Sequence, residues 1–178
     1  MIDLFKELPV ITGDRITIKP VTAADREGLL ELVNNDNVYK YLPSFLFERK
    51  YEDIDYVISH LYTECIDESL ILGVFINSTG EFCGLIELYG YKDYIHKISI
   101  GYRYIERFWG QGIAAETLGC FIDYIEKNTD IEIITASTML QNKASAKVLI
   151  KNDFDLVVSG SPEDWGFEEM TPSDKWIR

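Results

Sequence analysis

Two glycines, Gly110 and Gly112, stand one residue apart between a β-branched segment and an amphipathic segment. Because glycine has no side chain, a turn built from them can bring backbone N–H groups close to a ligand. A helix that starts after Gly112 would point its unpaired N–H groups and the positive end of its dipole at the same place. This order predicts an anion site, most often one for phosphate. The alternative interpretation is a tight turn that needs glycine and binds nothing.

Residues 110–115 also fit the dinucleotide-binding pattern GxGxxA, and Asp130 follows at the distance where that fold has its ribose-binding acid. In that fold, however, the glycines follow the first strand of a parallel unit, and the acid ends the next strand. Here Asp130 precedes the predicted strand 131–139, and the glycines follow a predicted antiparallel meander. A nicotinamide-binding fold is therefore disfavoured.

Asn142 and Ser145 form a second polar pair, three residues apart, at the start of a predicted helix. Asn142 could serve only as the N-cap of that helix, and Ser145 could be only a solvated helical residue. The helix is followed by Lys151, Asn152, Asp153 and Phe154.

Glu87 is the first candidate for a general base, because the predicted strand next to the glycine turn, 97–104, contains no acid. Glu87 shares one face of the neighbouring strand with Leu85 and Tyr89, and an isolated acid on an apolar face must find solvent or a partner. A carboxylate near the glycine turn could take a proton. Glu87 could instead be a solvent-facing charge, and Glu106 and Glu116 are alternatives.

The two motifs together resemble the GNAT acetyltransferases, and in particular the RimJ/RimL-type N-acetyltransferase branch. Residues 109–114 are similar to the pyrophosphate loop of that family, with Trp109 at its Gln/Arg position, a replacement typical of the branch. The downstream segment is similar to the family pattern Asn-x-x-Ser…Glu-Lys-x-Gly-Phe, except that Ile150 replaces the usual Glu and Asp153 the usual Gly. The resemblance covers the order of elements from about residue 11 to residue 159.

The resemblance implies acetyl-coenzyme A as co-substrate and assigns its binding residues, with no metal. The strand that splays from its neighbour to receive pantetheine would contain Tyr102, Arg103 and Tyr104. The loop amides for the pyrophosphate would come from Trp109, Gly110, Gln111, Gly112, Ile113 and Ala114. Asn142 would bind the pantetheine arm, and the distal half of the cofactor would be flanked by Leu149, Ile150 and Lys151.

Acetyl transfer requires that an amine lose a proton, that the thioester carbonyl be polarised and that a thiolate leave. A free backbone N–H near Tyr102 would stabilise the oxyanion, with Glu87 as the base. Related enzymes often use a tyrosine to protonate the thiolate, but the matching position here is Leu149, which has no proton to give. Ser145, one helical turn earlier, is the predicted substitute.

Periodicity predicts the elements that must position these groups. Alternating or β-branched runs predict strands at 15–21, 70–76, 82–91, 97–104 and 131–139, and the segments 154–159 and 165–177 supply one or two last strands. Apolar stripes predict helices at 22–35, 51–67, 112–128 and 142–152. The expected fold class is α/β: a single GNAT-like domain over residues 1–178, with a mixed, mostly antiparallel sheet of six or seven strands flanked by helices.

Composition limits the partners. The 178 residues contain 17 Lys and Arg against 30 Asp and Glu, for a net charge of −13, which disfavours nucleic acid as a partner. Acids of the second predicted helix, among them Asp53, Asp55, Glu64, Asp67 and Glu68, suggest a negative field at the acceptor side. The three cysteines, Cys65, Cys83 and Cys120, show no CxxC and indicate a reducing compartment. No metal-ligand cluster, signal peptide or membrane span is expected, and we expect a cytoplasmic protein.

The expected function is an acetyl-coenzyme A-dependent N-acetyltransferase that acts on a primary amine. The RimJ/RimL resemblance favours a protein N-terminus, such as that of a ribosomal protein. A small amine such as an aminoglycoside or polyamine, and a catalytically silent coenzyme A-binding module, are the alternatives. A homodimer is left open.

Overall fold

One eight-stranded sheet organises the chain in the computed structural model, which describes residues 8–64 and 69–178. Cys65, Asp67 and Glu68 lie outside the described residues. The strands are β1 (Ile11–Thr12), β2 (Ile16–Lys19), β3 (Ser69–Ile76), β4 (Phe82–Lys92), β5 (Lys97–Tyr104), β6 (Ile133–Met139), β7 (Asp155–Glu163) and β8 (Thr171–Ile177). Their order across the sheet is β1-β2-β3-β4-β5-β6-β8-β7. All neighbours are antiparallel except β5 and β6, which run parallel.

Helices cover both faces of the sheet, because β3, β4 and β5 carry apolar side chains on each face. The helices are α1 (Arg26–Val33), α2 (Asp36–Tyr39), α3 (Phe47–Lys50), α4 (Ile54–His60), α5 (Ile113–Asn128) and α6 (Lys143–Lys151). On one face, Leu70 and Leu72 of β3 belong to the same buried cluster as Phe121 of α5 and Leu149 of α6. On the other face, Ile71 of β3 joins the cluster of α1, α2 and α4.

Strands β5 and β6 pair over only three residues. Their parallel ladder runs from Lys97 opposite Ile133 to Ser99 opposite Thr135 and then ends. Beyond that point β5 continues to Tyr104 paired with β4, while β6 continues to Met139 paired with β8. The two strands therefore diverge and leave a gap inside an otherwise continuous sheet.

The fold class predicted from the sequence is confirmed: the molecule is a mixed, mostly antiparallel α/β structure with helices on the sheet. The sheet has eight strands rather than six or seven, because β1 is a two-residue strand, too short to show alternation. A capping box precedes α1, with the Thr22 backbone N–H donating to the Asp25 carboxylate at 2.8 Å.

The early helices differ most from the prediction. A helix was expected at 51–67, and the structure has the shorter α4, which begins after its N-cap Asp53 and ends at His60. The last residues of the expected range lie outside the described part. Helices α2 and α3 were not predicted, since four residues cannot display a helical period. Strand β7 extends four residues beyond the expected end at residue 159, because register shifts in its pairing with β8 break the alternation.

Candidate active site

A cavity of about 1450 Å³ occupies the gap between β5 and β6 and continues onto both faces of the sheet. By strand alternation, the backbone groups of Ile100 and Tyr102 point away from β4, because Ile105 directs its N–H to Cys83 on β4. The ladder with β6 ends where Ser99 lies opposite Thr135, so beyond it the backbone groups of Tyr102 have no strand partner on that side. The cavity therefore offers an unpaired strand edge, to which an extended, amide-bearing ligand can hydrogen-bond.

The glycine turn lies at the end of the cavity nearest α5. Gly110 and Gly112 adopt φ values of +74° and +80°, which side chains other than glycine rarely tolerate. Among the described residues, no backbone oxygen accepts a hydrogen bond from the amides of residues 110–115. These N–H groups sit at the N-terminus of a 16-residue helix, α5. The arrangement is a ready site for an anion such as a diphosphate.

Two side chains brace this turn. The Trp109 indole N–H donates to the carbonyl oxygen of Tyr104 at 2.8 Å, which ties the turn to the end of β5. Arg15 donates its backbone N–H and its Nε to the Glu116 carboxylate, at 2.7 and 2.6 Å, and its guanidinium also donates to the Gln111 carbonyl at 3.1 Å. Glu116, an alternative base in the sequence analysis, is thereby engaged as a structural anchor.

Asn142 and Ser145 begin α6 on the opposite wall of the cavity. The Asn142 side chain accepts a hydrogen bond from the Ser145 backbone N–H at 3.2 Å, which makes Asn142 the N-cap of α6. The Ser145 hydroxyl lies 2.9 Å from the phenolic oxygen of Tyr102 on β5. Two hydroxyl groups thus face each other across the cavity, next to the unpaired edge of β5.

Glu87 lies on the other face of the sheet with Arg103 and Glu48. The Arg103 guanidinium donates to Glu87 at 2.8 Å through Nη1 and to Glu48 at 2.8 Å through Nη2. A second Arg103–Glu48 contact, through Nε, completes a two-point ion pair. The side chains of Arg103 and Glu48 are buried, whereas 13% of the Glu87 side chain is exposed, and Glu87 lines the cavity.

Burial governs the titration of these groups. It raises the pKa of the Glu87 carboxyl above its usual range; Arg103 opposes the rise, and Glu48 adds to it. Burial also raises the pKa of the Tyr102 phenol, although its hydrogen bond to Ser145 works in the other direction. A carboxylate with raised pKa is a stronger base, and a phenol with raised pKa keeps its proton at neutral pH.

The structure brings most of the sequence-predicted site residues to this one cavity. Its lining includes Glu87, Tyr102, Arg103, Tyr104, Trp109, Gly110, Gly112, Ile113, Ala114, Asn142, Ser145, Leu149 and Lys151. Gln111 and Ile150 are not among the lining residues, and Ile150 points outward with 59% of its surface exposed. The Arg103 side chain is committed to two carboxylates, and by the same alternation its backbone groups point to β4, opposite Leu85, rather than into the gap.

The remaining candidates have other partners. Glu106 lines the cavity, but hydrogen bonds from the Asn35 and Asn37 amides lower its pKa, which makes it a weak base. His96, the histidine at the connection between β4 and β5, does not line the cavity, and its Nδ1 lies 3.1 Å from the Asp130 carboxylate.

The sequence analysis missed several polar groups near the cavity. Glu163 of β7 lines the cavity and pairs with Lys175 at 2.7 Å. Simple alternation along β7 does not predict the side of the sheet on which Glu163 lies, because the pairing of β7 with β8 contains register shifts. Glu48 was missed because it sits on the unpredicted helix α3. The Tyr102 hydroxyl is a further possible proton donor, which the family resemblance does not indicate because it assigns a role only to the backbone of that strand.

Acids expected at the acceptor side serve mainly structural roles. Asp53 caps α4, and Asp55 pairs with Arg26 at 3.0 Å. Glu64 does line the cavity. Within residues 8–64 and 69–178, no group of His, Cys, Asp and Glu has the arrangement of a metal site, and no helix is both long and apolar enough to cross a membrane.

Comparison with known sequences gives a consistent family. The family model described as "Acetyltransferase (GNAT) domain" matches residues 15–155. Over 168 residues the chain is 24% identical to "Uncharacterized N-acetyltransferase YoaA" of Bacillus subtilis (strain 168), and the match covers 93% of each protein.

Solved structures share the fold. RimL, the ribosomal L7/L12 alpha-N-protein acetyltransferase in complex with coenzyme A, has a TM-score of 0.80 at 17% identity, covering 96% of this chain and 97% of that chain. Spermidine N-acetyltransferase from Vibrio cholerae, in complex with coenzyme A and spermine, has a TM-score of 0.75 at 17% identity, covering 93% of this chain and 96% of that chain. At such identities the similarity establishes the fold alone.

Proposed function

Because the chain belongs to the GNAT acetyltransferase family and is an acetyltransferase, we propose that it moves the acetyl group of acetyl-coenzyme A to a primary amine, as a RimJ/RimL-type N-acetyltransferase. The proposal rests on one observation above all. The gap where β5 leaves β6 opens into the same cavity as the free amides at the start of α5. A long ligand with a diphosphate at one end and amides along its arm matches that combination.

The residues present fit coenzyme A. The amides of residues 110–114 would bind the diphosphate, and the edge of β5 at Tyr102 would pair with the amides of the pantetheine arm. Asn142 and Leu149 line the opposite wall of the cavity, and Lys151 lies where α6 ends beside α5. The cofactor supplies the activated thioester, while the protein binds and orients it.

The transfer needs one proton taken and one proton given. The amine nitrogen attacks the thioester carbon, a C–N bond forms, and the C–S bond then breaks. Glu87 accepts the proton that the amine loses, and its raised pKa suits that role. A backbone N–H on the free edge of β5 stabilises the oxyanion. The paired hydroxyls of Ser145 and Tyr102 give a proton to the departing thiolate.

For the acceptor, we favour a protein N-terminus over a polyamine. The cavity is lined by aromatic and apolar side chains of residues 41–47 and by Lys40, Lys50 and Lys92. Acids also line it, but each already has a partner: Glu64 accepts from Tyr56, Glu106 from Asn35 and Asn37, and Asp164 from the Gly166 N–H, while Glu163 pairs with Lys175. Lysines would repel a second ammonium group of a polyamine, whereas an N-terminus carries only one charge at its amine. RimL acts on a ribosomal protein N-terminus and so supports this choice, while the spermidine enzyme keeps the small amine as the second candidate.

A panel of amines with acetyl-coenzyme A tests the proposal. Thiol release is followed with peptides that begin with Ser, Ala or Met, the same peptides with a blocked N-terminus, spermidine and an aminoglycoside. We expect release with at least one free N-terminal peptide and none with its blocked form. Preference for spermidine would move the assignment to small amines. Coenzyme A binding without turnover on any amine would support the silent binding module instead.

A further inference from the structure

A buried row of three charges, Glu48, Arg103 and Glu87, links α3 to the two central strands. Glu48 is completely buried, on the four-residue helix α3, where it accepts a hydrogen bond from Nη2 of Arg103 and lies in ion-pair contact with Nε. Glu87 receives Nη1 at 2.8 Å. Glu48 is not a lining residue of the cavity, so it cannot touch either substrate.

One guanidinium therefore serves two carboxylates. Isolated buried charges are unfavourable, so Arg103 needs a partner in this part of the fold. If Glu87 were that single partner, Arg103 would neutralise it and the carboxylate would hold protons weakly. Glu48 contacts the Nε and Nη2 side of the guanidinium, and Nη1 is left to donate to Glu87.

We propose that Glu48 is a positioning residue for Glu87: it holds Arg103 in place and offsets its charge, so that Glu87 stays basic enough to accept the amine proton. The proposal rests on the role of Glu87 in the proposed function. It assigns a purpose to a buried carboxylate that the transfer chemistry itself does not use.

Few other groups face Glu87. Ser69 of β3 hydrogen-bonds to it. Tyr89 lies on β4, as Glu87 does, and its pKa is raised by burial and by the Glu87 charge. Beyond Tyr89, Glu163 is already paired with Lys175.

On the far side of Arg103, the Tyr39 hydroxyl donates to Glu48 at 2.9 Å, and the Arg49 guanidinium stacks on the Tyr39 ring. None of these groups can replace Glu48 against Arg103, because Tyr39 is a neutral donor and Arg49 carries the same charge as Arg103.

The arrangement also ties the base to the acceptor side. Helix α3 belongs to the segment 40–50. Glu48 itself is buried, but most residues of this segment line the acceptor end of the cavity. A shift of α3 would change how much of the Arg103 charge reaches Glu87. The protonation of Glu87 therefore depends on the helix that flanks the acceptor.

Carboxyl ¹³C NMR of labelled glutamate, with the Glu87 signal assigned through Glu87→Gln, tests the inference without any substrate. We expect the titration midpoint of Glu87 to fall by about one to two units in Glu48→Gln, because the like charge is lost and Arg103 turns fully to Glu87. Glu48→Asp, which keeps the charge, should stay close to the parent. A midpoint that is unchanged or higher in Glu48→Gln would overturn the inference.

Kinetics on the best amine of the panel separate positioning from mere stability. In Glu48→Gln the acid limb of kcat against pH should move down with the NMR midpoint, and kcat on the plateau should fall because a weaker base remains. Glu48→Gln combined with Glu87→Gln should be no slower than Glu87→Gln alone, since Glu48 acts through Glu87. A uniform loss at every pH, additive with Glu87→Gln, would show a structural role only.

Tyr39→Phe decides the matter if Glu48→Gln does not fold. This variant keeps both carboxylates but removes the hydroxyl that partly offsets the Glu48 charge, so the Glu87 midpoint should rise. A fall or no change would reject the inference. The titration requires neither acetyl-coenzyme A nor an acceptor. Its failure therefore leaves acetyl transfer standing, whereas a parent enzyme without turnover rejects the function and not the coupling.

Discussion

At the scale of single residues, Glu87 carries the heaviest chemical demand, because an ammonium group cannot attack until it loses its proton. We expect Glu87→Gln to lower kcat by roughly 10²–10⁴-fold, the usual contribution of a general base. The parent kcat should rise with pH through the Glu87 pKa, which lies above the ordinary carboxyl range, and this limb should vanish in the variant. Steady-state kinetics across pH measure both effects.

The matched control for Glu87 is Glu106→Gln, which removes a carboxylate from the same cavity whose pKa is lowered by two asparagine amides. It should leave the pH profile intact. A change of less than about tenfold in Glu87→Gln would indicate that the enzyme merely orients an amine that is already neutral.

The hydroxyl pair gives a second residue-scale prediction. Tyr102→Phe and Ser145→Ala should each lower kcat by about 10- to 100-fold with little change in affinity for coenzyme A, because each breaks the route of the proton to the thiolate. Since burial raises the pKa of Tyr102, the parent should show no basic limb from this phenol below about pH 9. Isothermal titration with coenzyme A and pH-dependent kinetics separate binding from chemistry. If both variants keep the parental kcat, the thiolate leaves without their help.

Residue chemistry was only partly accessible from the sequence. Glu87 could be picked out because strand parity places it on the face of Leu85 and Tyr89, and the structure does set it at the cavity. Its partner Arg103 lies on the next strand, opposite Leu85, a register that no local pattern reveals. Glu48 was out of reach, because its importance comes from a contact 55 residues away along the chain.

At the scale of elements, the glycine turn before α5 is the part most open to a controlled test. Gly110 and Gly80 have nearly identical φ values, +74° and +73°, and an added Cβ would meet nothing within 4 Å at either position. Alanine at each should therefore cost similar stability, about 1 kcal/mol, from backbone strain alone. Of these two glycines, Gly110 lines the cavity and Gly80 does not.

We accordingly expect Gly110→Ala to weaken coenzyme A binding by about tenfold or more, while Gly80→Ala binds like the parent. The reason is that strain at Gly110 turns the loop amides away from the diphosphate. Isothermal titration gives the affinities, and thermal unfolding checks that both variants lose similar stability. Equal affinities in the two variants would remove the diphosphate from this turn.

Elements with a long period were well predicted from sequence. Helix α5 and strands β4 and β5 begin and end within a residue or two of their expected limits, because apolar spacing and the Gly112 boundary mark them clearly. The divergence of β5 from β6 could not be derived from composition or periodicity. It depends on where a parallel ladder between distant segments stops, and only the family resemblance suggested it.

At the scale of the whole molecule, the net charge is −13, yet one end of α6 carries positive charge. Lys147 and Lys151 stand one turn apart on α6 and line the cavity, and no described acid forms an ion pair with either. Asn152, the next residue, donates to the Ala115 carbonyl at 3.1 Å, so this end of α6 lies beside the first turn of α5. The third phosphate of coenzyme A, at the ribose, would find its counter-charge here.

Lys151→Ala should therefore reduce affinity for coenzyme A about five- to tenfold, yet leave affinity for dephospho-coenzyme A unchanged. Lys127→Ala, which removes a lysine already paired with Asp123, is the control. The preference for coenzyme A over its dephospho form should also shrink as salt concentration rises. If Lys151→Ala weakens both ligands equally, the lysine acts on the site as a whole and not on that phosphate.

The central claim is that the gap between β5 and β6 receives the pantetheine arm while the turn at Gly110 and Gly112 binds the diphosphate. A crystal structure of the protein with coenzyme A tests it most directly. The account predicts pantetheine amides paired with the free edge of β5 at Tyr102, the diphosphate against the amides of residues 110–114, and the thiol between Glu87 and the Ser145 hydroxyl. Coenzyme A bound outside the gap, or a gap closed by renewed pairing of β5 with β6, would contradict it.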